Sequence, residues 1–445
     1  MVNMQIFKRK AYNKLLQWKQ QSEGHSAILV EGARRVGKST LVEQFAKHEY
    51  QSYLLIDFNN VSEEVMHWFE ELEDLDYLFL RLQNRYGVNL IPRRSVIIFD
   101  EVQRCPKARQ AIKYLVADGR YDYIETGSLI SIQQNTRDIT IPSEEESVEL
   151  LPLDFEEFCW ALGDTVTLPL LRQFLDKRLP LTAAHVTNQR RLRLYMLVGG
   201  MPQAVNAYLQ TNNLKMVDDV KRQIIRLYAA DFIKIDPSKH VSKMFLSIPA
   251  ILSKNASRYV PSAVVGRVAP NQLAEMLITL EDSKVINIAY HADDPNVGLA
   301  LSADLNRYKL FVGDTGLFVT MVYWDKDYTE NIIYQKLLSD KLETNLGYIY
   351  ENLVAQMLRA AGNKLFYYTF PKDPKHNYEV DFLLSRGNKI CPVEVKSGNY
   401  RTHESLDAFC KKFSARVGQS YILHNKDLRR DGTTLCLPVY MAELL

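Results

Sequence analysis

The sequence predicts an α/β protein with two separate α/β regions, one towards each end of the chain. In the N-terminal region, short apolar runs alternate with helix-like segments, which is typical of a parallel sheet covered on both faces by helices. In the C-terminal region, a long amphipathic segment precedes strand-like runs that alternate with a further helix. Because the chain has 445 residues, we expect two to four domains, each with its own core.

Composition excludes several classes of protein. The formal net charge is only +2, so a nucleic-acid role would have to depend on local basic surfaces. The five cysteines are spaced singly, which argues against a disulfide framework or a zinc site. The N-terminus lacks the apolar core of a signal peptide, and no run of 18 apolar residues occurs. We therefore expect a cytoplasmic protein without membrane segments.

Four apolar runs define the expected N-terminal sheet. They are Ser26–Gly32, Ser52–Phe58, Arg94–Val102 and Tyr121–Ser128. Helical segments separate them, as successive parallel strands require. After the fourth run, a polar stretch with the acidic residues Glu144–Glu146 is expected to be an irregular surface connection.

The segment GARRVGKS follows the first strand and opens a helix. It matches G-x-x-x-x-G-K-[ST] at every fixed position and in the structural context that this phosphate-binding loop requires. Backbone N–H groups of such a loop, together with the helix N-terminus, bind phosphate oxygens. The predicted nucleotide-binding residues are Gly32, Ala33, Arg34, Arg35, Val36, Gly37, Lys38, Ser39 and Thr40. An ordinary glycine-containing turn is the alternative interpretation.

The residue types in and near this loop indicate ATP hydrolysis with Mg²⁺. Lys38 would contact the β- and γ-phosphates, and the Ser39 hydroxyl would be a magnesium ligand. Asp100 ends the third strand, where it could hold magnesium through a water, and Glu101 beside it could act as general base. Thr126, in ETGS at the end of the fourth strand, could contact the γ-phosphate or the attacking water, with Ser128 as the second choice.

Two regions lie between the α/β regions. Residues 161–237 contain helical segments and suit a small helical subdomain. Residues 238–325 combine helices with a strand hairpin, which favours a winged-helix module. Helix-turn-helix folds often bind DNA, but many mediate protein contacts.

The C-terminal segment YEVDFLL…PVEVKSG carries the pattern Asp…Glu-x-Lys on two strands. Residues two apart on a strand share a face, so Glu379 accompanies Asp381, and Glu394 accompanies Lys396. If the strands are neighbours, Asp381 and Glu394 could hold one Mg²⁺ or Mn²⁺ ion beside Lys396, which would stabilise developing charge. Glu351 on the preceding helix is a candidate fourth acid. An ordinary surface salt bridge is the alternative.

Five segments of the N-terminal half resemble one known family. The segments EGARRVGKSTL, IIFDEVQRCPKA, IETGSLISI, IPSEEESVELLPLDFEEF and GGMPQAV are similar to the AAA+-type bacterial and archaeal ATPases of the archaeal-ATPase group. YKLFVGDTGL, GYIYENLVAQ and EVDFLL…PVEVKSG resemble the C-terminal half of these proteins, a domain of unknown function. The resemblance covers nearly the whole chain.

This resemblance implies four domains. They are an AAA+ core (1–160), a helical lid (161–237), a winged helix (238–325) and a restriction-endonuclease-like domain (326–445). The chain departs from the family in one place: many relatives carry an Arg before the PL-F-EF run, and this chain carries Glu residues there. Arg137 is the nearest upstream candidate for an arginine finger, and Arg190, Arg191 and Arg193 are candidates for a second sensor.

Three functions are compatible with these patterns. In the first, ATP binding and hydrolysis drive a C-terminal domain that binds or cleaves nucleic acid, with DNA as the expected partner. In the second, the protein is a switch ATPase whose nuclease-like domain binds DNA or a protein without cleaving. In the third, copies of the chain assemble into a homo-oligomeric ring that remodels protein. The first requires Asp381, Glu394 and Lys396 together, whereas the second tolerates their loss.

Overall fold

The structure is a computed structural model that describes residues 5–127, 142–254, 256–325, 334, 337–339, 347–398 and 402–445. The chain divides into two compact units. The first comprises residues 1–151 with 282–284, and the second comprises 152–281 with 285–445. Within the described residues, no helix is both long enough and apolar enough to cross a membrane.

The first unit contains the predicted parallel sheet. Its described strands are β1 (Ala27–Glu31), β2 (Ser52–Asp57), β3 (Ser95–Asp100), β4 (Asp122–Gly127) and β5 (Glu145–Glu149). Its helices are α1 (Lys10–Ser22), α2 (Lys38–Glu49), α3 (Glu63–His67), α4 (Leu75–Tyr86) and α5 (Pro106–Asp118). The strand order is β2-β3-β4-β1-β5, and every pairing is parallel.

This topology explains why the central strands are apolar and where a site must form. Every residue of β3 and of β4 is buried, because both strands have neighbours on each side and helices pack on the sheet. Parallel strands end at the same edge of the sheet. The loop after β1 therefore lies at the same edge as Asp100 and Thr126, and β4 lies between β1 and β3.

The acidic stretch expected to be an irregular surface connection is partly a strand. β5 pairs in parallel with β1, in the register Ala27↔Glu145 to Glu31↔Glu149. Glu145 accepts two hydrogen bonds from the Arg109 guanidinium, at 3.0 and 2.7 Å, and both side chains are less than 10% exposed. A buried arginine from α5 thus neutralises one residue of the acidic run, which the local sequence does not reveal.

The second unit contains both helices and strands. Its described helices are α6 (Phe155–Ala161), α7 (Thr167–Lys177), α8 (Ala183–Val198), α9 (Pro202–Thr211), α10 (Leu214–Ile235), α11 (His240–Leu252), α12 (Ser262–Val265), α13 (Pro270–Asp282, ending at the unit boundary), α14 (Thr315–Val322), α15 (Gly347–Ala360) and α16 (Glu404–Lys412). Its strands are β6 (Ile286–Ala292), β7 (Ala303–Val312), β8 (Leu365–Pro371), β9 (Asn377–Arg386), β10 (Lys389–Lys396), β11 (Tyr421–His424), β12 (Arg429–Asp431) and β13 (Thr434–Pro438).

These strands form one mixed sheet in the order β12-β13-β11-β10-β9-β8-β6-β7. The β6–β7 hairpin, expected to be the wing of a separate module, is part of this sheet because β6 pairs in parallel with β8. The structure thus does not separate residues 286–312 from the C-terminal strands. The four-domain division remains a prediction.

Two of the quoted signature segments meet inside the second unit. The buried Asp314 carboxylate of VGDTG accepts a hydrogen bond from the Gly200 amide of GGMP at 2.5 Å. A Cβ on Gly199 would lie 2.3 Å from the same carboxylate, so only glycine fits there. Lys221 of α10 is fully buried and donates to the carbonyls of Leu197 and Gly316. These segments therefore join α8 to the start of α14.

Candidate functional sites

The loop between β1 and α2 contains two glycines with positive φ, at Gly32 and Gly37. Gly32 and Gly37 have φ values of 153° and 96°, both in the region that favours glycine. A Cβ on Gly32 would lie 2.3 Å from the Leu150 carbonyl oxygen, which excludes a larger residue. The buried Arg9 donates to the Val36 carbonyl at 2.9 Å, a support from outside the motif that the sequence did not indicate.

The nine predicted nucleotide-binding residues form this continuous loop and the first turn of α2. Ala33 and Val36 are buried, whereas the side chains of Arg34, Arg35 and Thr40 are exposed. Arg35 has a positive φ of 73°, which is uncommon for a residue with a side chain. The loop therefore combines two exposed guanidinium groups with the backbone N–H groups that such a motif would present to a phosphate.

The Lys38 side chain folds onto its own loop. Its Nζ donates to the carbonyls of Gly32 and Ala33 at 3.0 and 3.1 Å. Burial lowers the pKa of Lys38, and the nearby charges of Glu101 and Asp100 act in the opposite direction. An incoming phosphate would give this buried ammonium a charged partner in place of two carbonyl oxygens.

A hydrogen-bonded cluster connects the loop to the strand-end acids. The Ser39 hydroxyl donates to Asp100 Oδ1 at 2.8 Å. The Thr126 hydroxyl donates to the same oxygen at 2.5 Å and accepts from the Glu101 amide at 3.1 Å. The hydroxyl and carboxylate that would hold Mg²⁺ are thus already adjacent, and their oxygen donors fit a hard divalent cation. The predicted contact of Thr126 with phosphate or water stays a prediction.

Glu101 is held by two local features. Its backbone has a positive φ of 56° at the start of a short 3₁₀ turn. Its Oε2 accepts a hydrogen bond of 2.5 Å from the Gln103 amide nitrogen. Gln103 was not predicted from the sequence, although its position two residues after a candidate base places it within reach. The general-base role of Glu101 stays a prediction.

The remaining arginine and serine candidates are not assigned by the geometry. Ser128 and Arg137 lie outside the described residues. Arg191 forms an ion pair with Asp164 and donates to the Thr167 hydroxyl at 2.7 Å, so it supports local structure in its own unit. Arg193 donates to the Leu338 carbonyl at 3.3 Å, and Arg190 is exposed.

The second unit brings three carboxylates together. Glu351 of α15, and Glu379 and Asp381 of β9, each place one carboxylate oxygen within 4.8 Å of the others. Sequence reasoning chose Glu351 and Asp381 as ligands, and it placed Glu379 on the correct face without assigning it a role. Three convergent carboxylates are a donor set that suits Mg²⁺ or Mn²⁺.

Glu394 and Lys396 lie beside this group on the neighbouring strand. β9 and β10 are antiparallel, and Asp381 Oδ2 accepts a hydrogen bond of 2.7 Å from the Val395 amide. Glu394 Oε1 pairs with Lys396 Nζ at 2.7 Å. Glu394 Oε2 is buried and has no hydrogen-bond partner within the described part of the chain. The metal role of Glu394 and the catalytic roles of Asp381, Glu394 and Lys396 stay predictions.

A lysine that sequence reasoning missed lies inside the carboxylate group. Lys309 Nζ of β7 donates to Glu351 Oε1 at 2.7 Å and to Glu379 Oε1 at 2.5 Å. Burial alone would lower the pKa of Lys309, but the charges of Glu351, Glu379 and Asp381 outweigh it and raise this pKa well above its usual range. Loss of water contact, with the nearby charges of Glu394 and Glu351, raises the pKa of Asp381.

Comparison with protein families matches three separate regions of the chain. Residues 24–159 match the model of an AAA domain. Residues 189–328 and 346–441 match two domains of unknown function, DUF8612 and DUF4143. A search among curated proteins found no match.

Several solved structures are similar at low identity. A Walker-type ATPase of Pyrococcus abyssi is 16% identical, with 71% of this chain and 96% of that chain covered and a TM-score of 0.43. The ORC1 protein of Aeropyrum pernix, solved with DNA, is 11% identical, with 76% and 94% covered and a TM-score of 0.29. Cdc6p of Pyrobaculum aerophilum is 11% identical, with 75% and 94% covered and a TM-score of 0.25.

The family match and the geometry of the first unit indicate the same activity. The phosphate-binding loop, the strand-end acids and the strand order agree with the AAA-domain match. Neither domain of unknown function assigns an activity to the second unit. Residues 24–159 therefore form a P-loop ATPase domain of the AAA+ type, a class that uses ATP with a divalent metal such as Mg²⁺.

Proposed function

We propose that this chain is an AAA+ ATPase whose second unit binds and hydrolyses nucleic acid at a divalent-metal site. The observation that carries the proposal is the convergence of Glu351, Glu379 and Asp381, with the Glu394–Lys396 pair on the adjacent strand. Fold does not determine function, so the proposal rests on this chemistry and not on the sheet itself.

The donor set fits a metal for two independent reasons. Three carboxylate oxygens lie within 4.8 Å of one another, a spacing that one cation with oxygen ligands can bridge. Glu394 Oε2 adds a buried oxygen without a hydrogen-bond partner among the described residues. A buried acceptor of this kind usually has a partner, and a cation or its water would supply one.

Each side chain then has a separate role in phosphodiester hydrolysis. Glu351, Glu379 and Asp381 would hold a divalent cation, which would supply Lewis acidity at a phosphoryl oxygen. Lys396, oriented by Glu394, stabilises the negative charge that develops on phosphorus. A water oxygen forms the new bond to phosphorus, the bond to one ester oxygen breaks, and that oxygen takes up a proton.

One partly exposed basic side chain, Arg307, which also pairs with Asp293 at 3.7 Å, favours a polyanionic substrate. Arg307 lies two residues before Lys309 on β7, its side chain is 35% exposed, and it donates to the Thr369 hydroxyl at 2.8 Å. Thr369 is the register partner of Glu379, so this guanidinium lies beside the carboxylate group. Phosphate contacts of this type give affinity without sequence preference.

A cleavage assay tests the proposal. The full-length protein is incubated with linear duplex, circular duplex and single-stranded DNA and with RNA, in Mg²⁺ or Mn²⁺, with and without ATP. We expect cleavage that Asp381→Asn abolishes. Asp373→Asn is the matched control, since Asp373 is exposed, precedes β9 and pairs with His376. Cleavage that survives Asp381→Asn would contradict the assignment.

A second candidate function is a switch ATPase whose second unit binds nucleic acid without cleaving it. The observation that favours it is the Lys309 ammonium, which already lies between two of the three carboxylates. Binding of DNA with no cleavage under any of the conditions above, in protein that hydrolyses ATP, would select this function.

A further inference from the structure

Lys309 occupies the position where a bound cation would be expected. Its Nζ lies 2.7 Å from Glu351 Oε1 and 2.5 Å from Glu379 Oε1, and its side chain is only 4% exposed. Glu351 and Glu379 are two of the three residues in the candidate metal group. One positive charge is therefore already placed among these carboxylates by the chain itself.

The register of the sheet explains how the lysine reaches this position. Lys309 pairs with Ala289 of β6, and Ala289 pairs in turn with Leu365 of β8. Ala289 is fully buried and has only a methyl side chain, so this register partner of Lys309 is small. The ammonium thus meets Glu379 of β9 although β6 and β8 lie between the two strands in the sheet.

We propose that Lys309 is a built-in counter-cation of the carboxylate group, and that a divalent cation binds there only by displacing it. This inference rests on the proposed function, because it assumes that the group is a metal site. An ammonium and a divalent cation cannot both bind the same carboxylate oxygens. Each would have to lie close to those oxygens, and the two positive charges would then repel each other. Metal affinity is therefore set by competition with an internal lysine.

Replacing the lysine tests this competition directly. Lys309→Met removes the charge but keeps a long apolar stem, and Mn²⁺ binding is measured by calorimetry on the full-length, nucleotide-free protein. We expect the Mn²⁺ affinity to rise at least about tenfold, because an unscreened neighbouring charge opposes a cation strongly in a partly buried site. Lys372→Met is the matched control, since it removes an exposed lysine that pairs with Glu404 and not with a member of the carboxylate group, and we expect a change below about threefold.

A measurement on the unsubstituted protein keeps the test valid if Lys309→Met does not fold. Acylation of Lys309 by a lysine-reactive reagent is followed by mass spectrometry with increasing Mn²⁺. We expect labelling to rise as the metal releases the buried ammonium. Labelling that stays constant while Mn²⁺ binds, or an unchanged or weaker Mn²⁺ affinity in folded Lys309→Met, would overturn the inference.

Asp381→Asn separates this inference from the proposed function. Mn²⁺ binding that Asp381→Asn removes, but that Lys309→Met does not strengthen, would leave the metal site in place and reject the competing lysine. If neither the unsubstituted protein nor Lys309→Met binds Mn²⁺ in a manner sensitive to Asp381→Asn, the metal site itself fails, and the inference fails with it.

Discussion

At the scale of single residues, the Thr126 hydroxyl connects the two acids of the ATPase site. It donates to Asp100 and accepts from the Glu101 amide. We expect Thr126→Val, which keeps the shape but not the hydroxyl, to lower the ATP turnover rate at least about tenfold, because a hydrogen bond to a charged group contributes about 1.5–3 kcal/mol. Steady-state hydrolysis measures the turnover rate, and equilibrium nucleotide binding measures the affinity for ATP separately.

Thr126→Ser serves as the control because it retains the hydroxyl. Its turnover should stay within about threefold of the unsubstituted rate, and nucleotide affinity should change little in either variant. Equal turnover in Thr126→Val and Thr126→Ser would show that the methyl group or the backbone, and not the hydroxyl, matters at this position.

A second residue-scale prediction concerns acid stability. His424 is fully buried and its Nδ1 accepts a hydrogen bond from the Lys426 amide at 2.9 Å, which requires an unprotonated nitrogen. Burial lowers the pKa of His424 from 6.5 to about 4. Between pH 6.5 and pH 4, His424 binds a proton in the unfolded chain but not in the folded one. The free energy of unfolding therefore falls as the pH drops through this range.

His424→Asn isolates this contribution, because its amide oxygen retains an acceptor but does not titrate. At neutral pH both proteins are uncharged at this position. From pH 6.5 towards pH 4 the unsubstituted protein should lose about 3 kcal/mol more than the variant. Urea unfolding at several pH values measures the difference, and parallel pH profiles for the two proteins would argue against it.

At the scale of secondary-structure elements, β5 depends on one buried ion pair. Arg109 donates two hydrogen bonds to Glu145, and both side chains are buried. Arg109→Met should leave Glu145 as an uncompensated buried charge and lower the free energy of unfolding by about 3–5 kcal/mol. Thermal and urea unfolding of the full-length protein measure this loss.

The matched comparison is the exposed pair between Lys47 and Glu43 on α2. Its N–O distance is 2.6 Å, but the side chains are 43% and 38% exposed. Lys47→Met should therefore lower the free energy of unfolding by less than about 1 kcal/mol. If both substitutions cost the same, burial would not be what makes the Arg109–Glu145 pair important.

The elements also show what the sequence could reveal. Gly32–Ser39 and Asp100–Glu101 were predictable because each motif is contiguous and because apolar runs place both at the ends of buried strands. The strand character of β5 was not expected because an acidic run lacks apolar alternation, and Arg109, the partner of Glu145, lies 36 residues earlier. Charge compensation over such a distance leaves no local periodic signal.

The same limitation applies to the carboxylate group. Asp381, Glu394 and Lys396 lie on consecutive strands, so strand alternation alone placed them near one another. Lys309 comes from β7, which is separated from β9 in the sheet by β6 and β8, and only the sheet order brings it to Glu379. Sequence reasoning also assigned the β6–β7 hairpin to another module, which concealed this contact.

At the scale of the whole molecule, the ATP site and the carboxylate group belong to different compact units. If ATP controls nucleic-acid binding, it must do so by favouring one of two conformational states of the chain. Such coupling is reciprocal: ATP and DNA must each change the affinity for the other by the same factor. This requirement distinguishes a coupled machine from two independent activities on one chain.

The coupling factor between ATP and DNA can be measured when ATP hydrolysis is blocked. In Glu101→Gln, which should bind ATP without cleaving it, we expect saturating ATP to change the affinity for a defined DNA duplex at least about fivefold, a typical coupling magnitude. Saturating DNA should change ATP affinity by the same factor. Lys38→Ala, which removes the ammonium expected to contact the phosphates, should abolish ATP binding and leave DNA affinity at the nucleotide-free value. If ATP leaves the DNA affinity of Glu101→Gln unchanged, the two units act independently, and the proposed coupling is wrong even if each site is active.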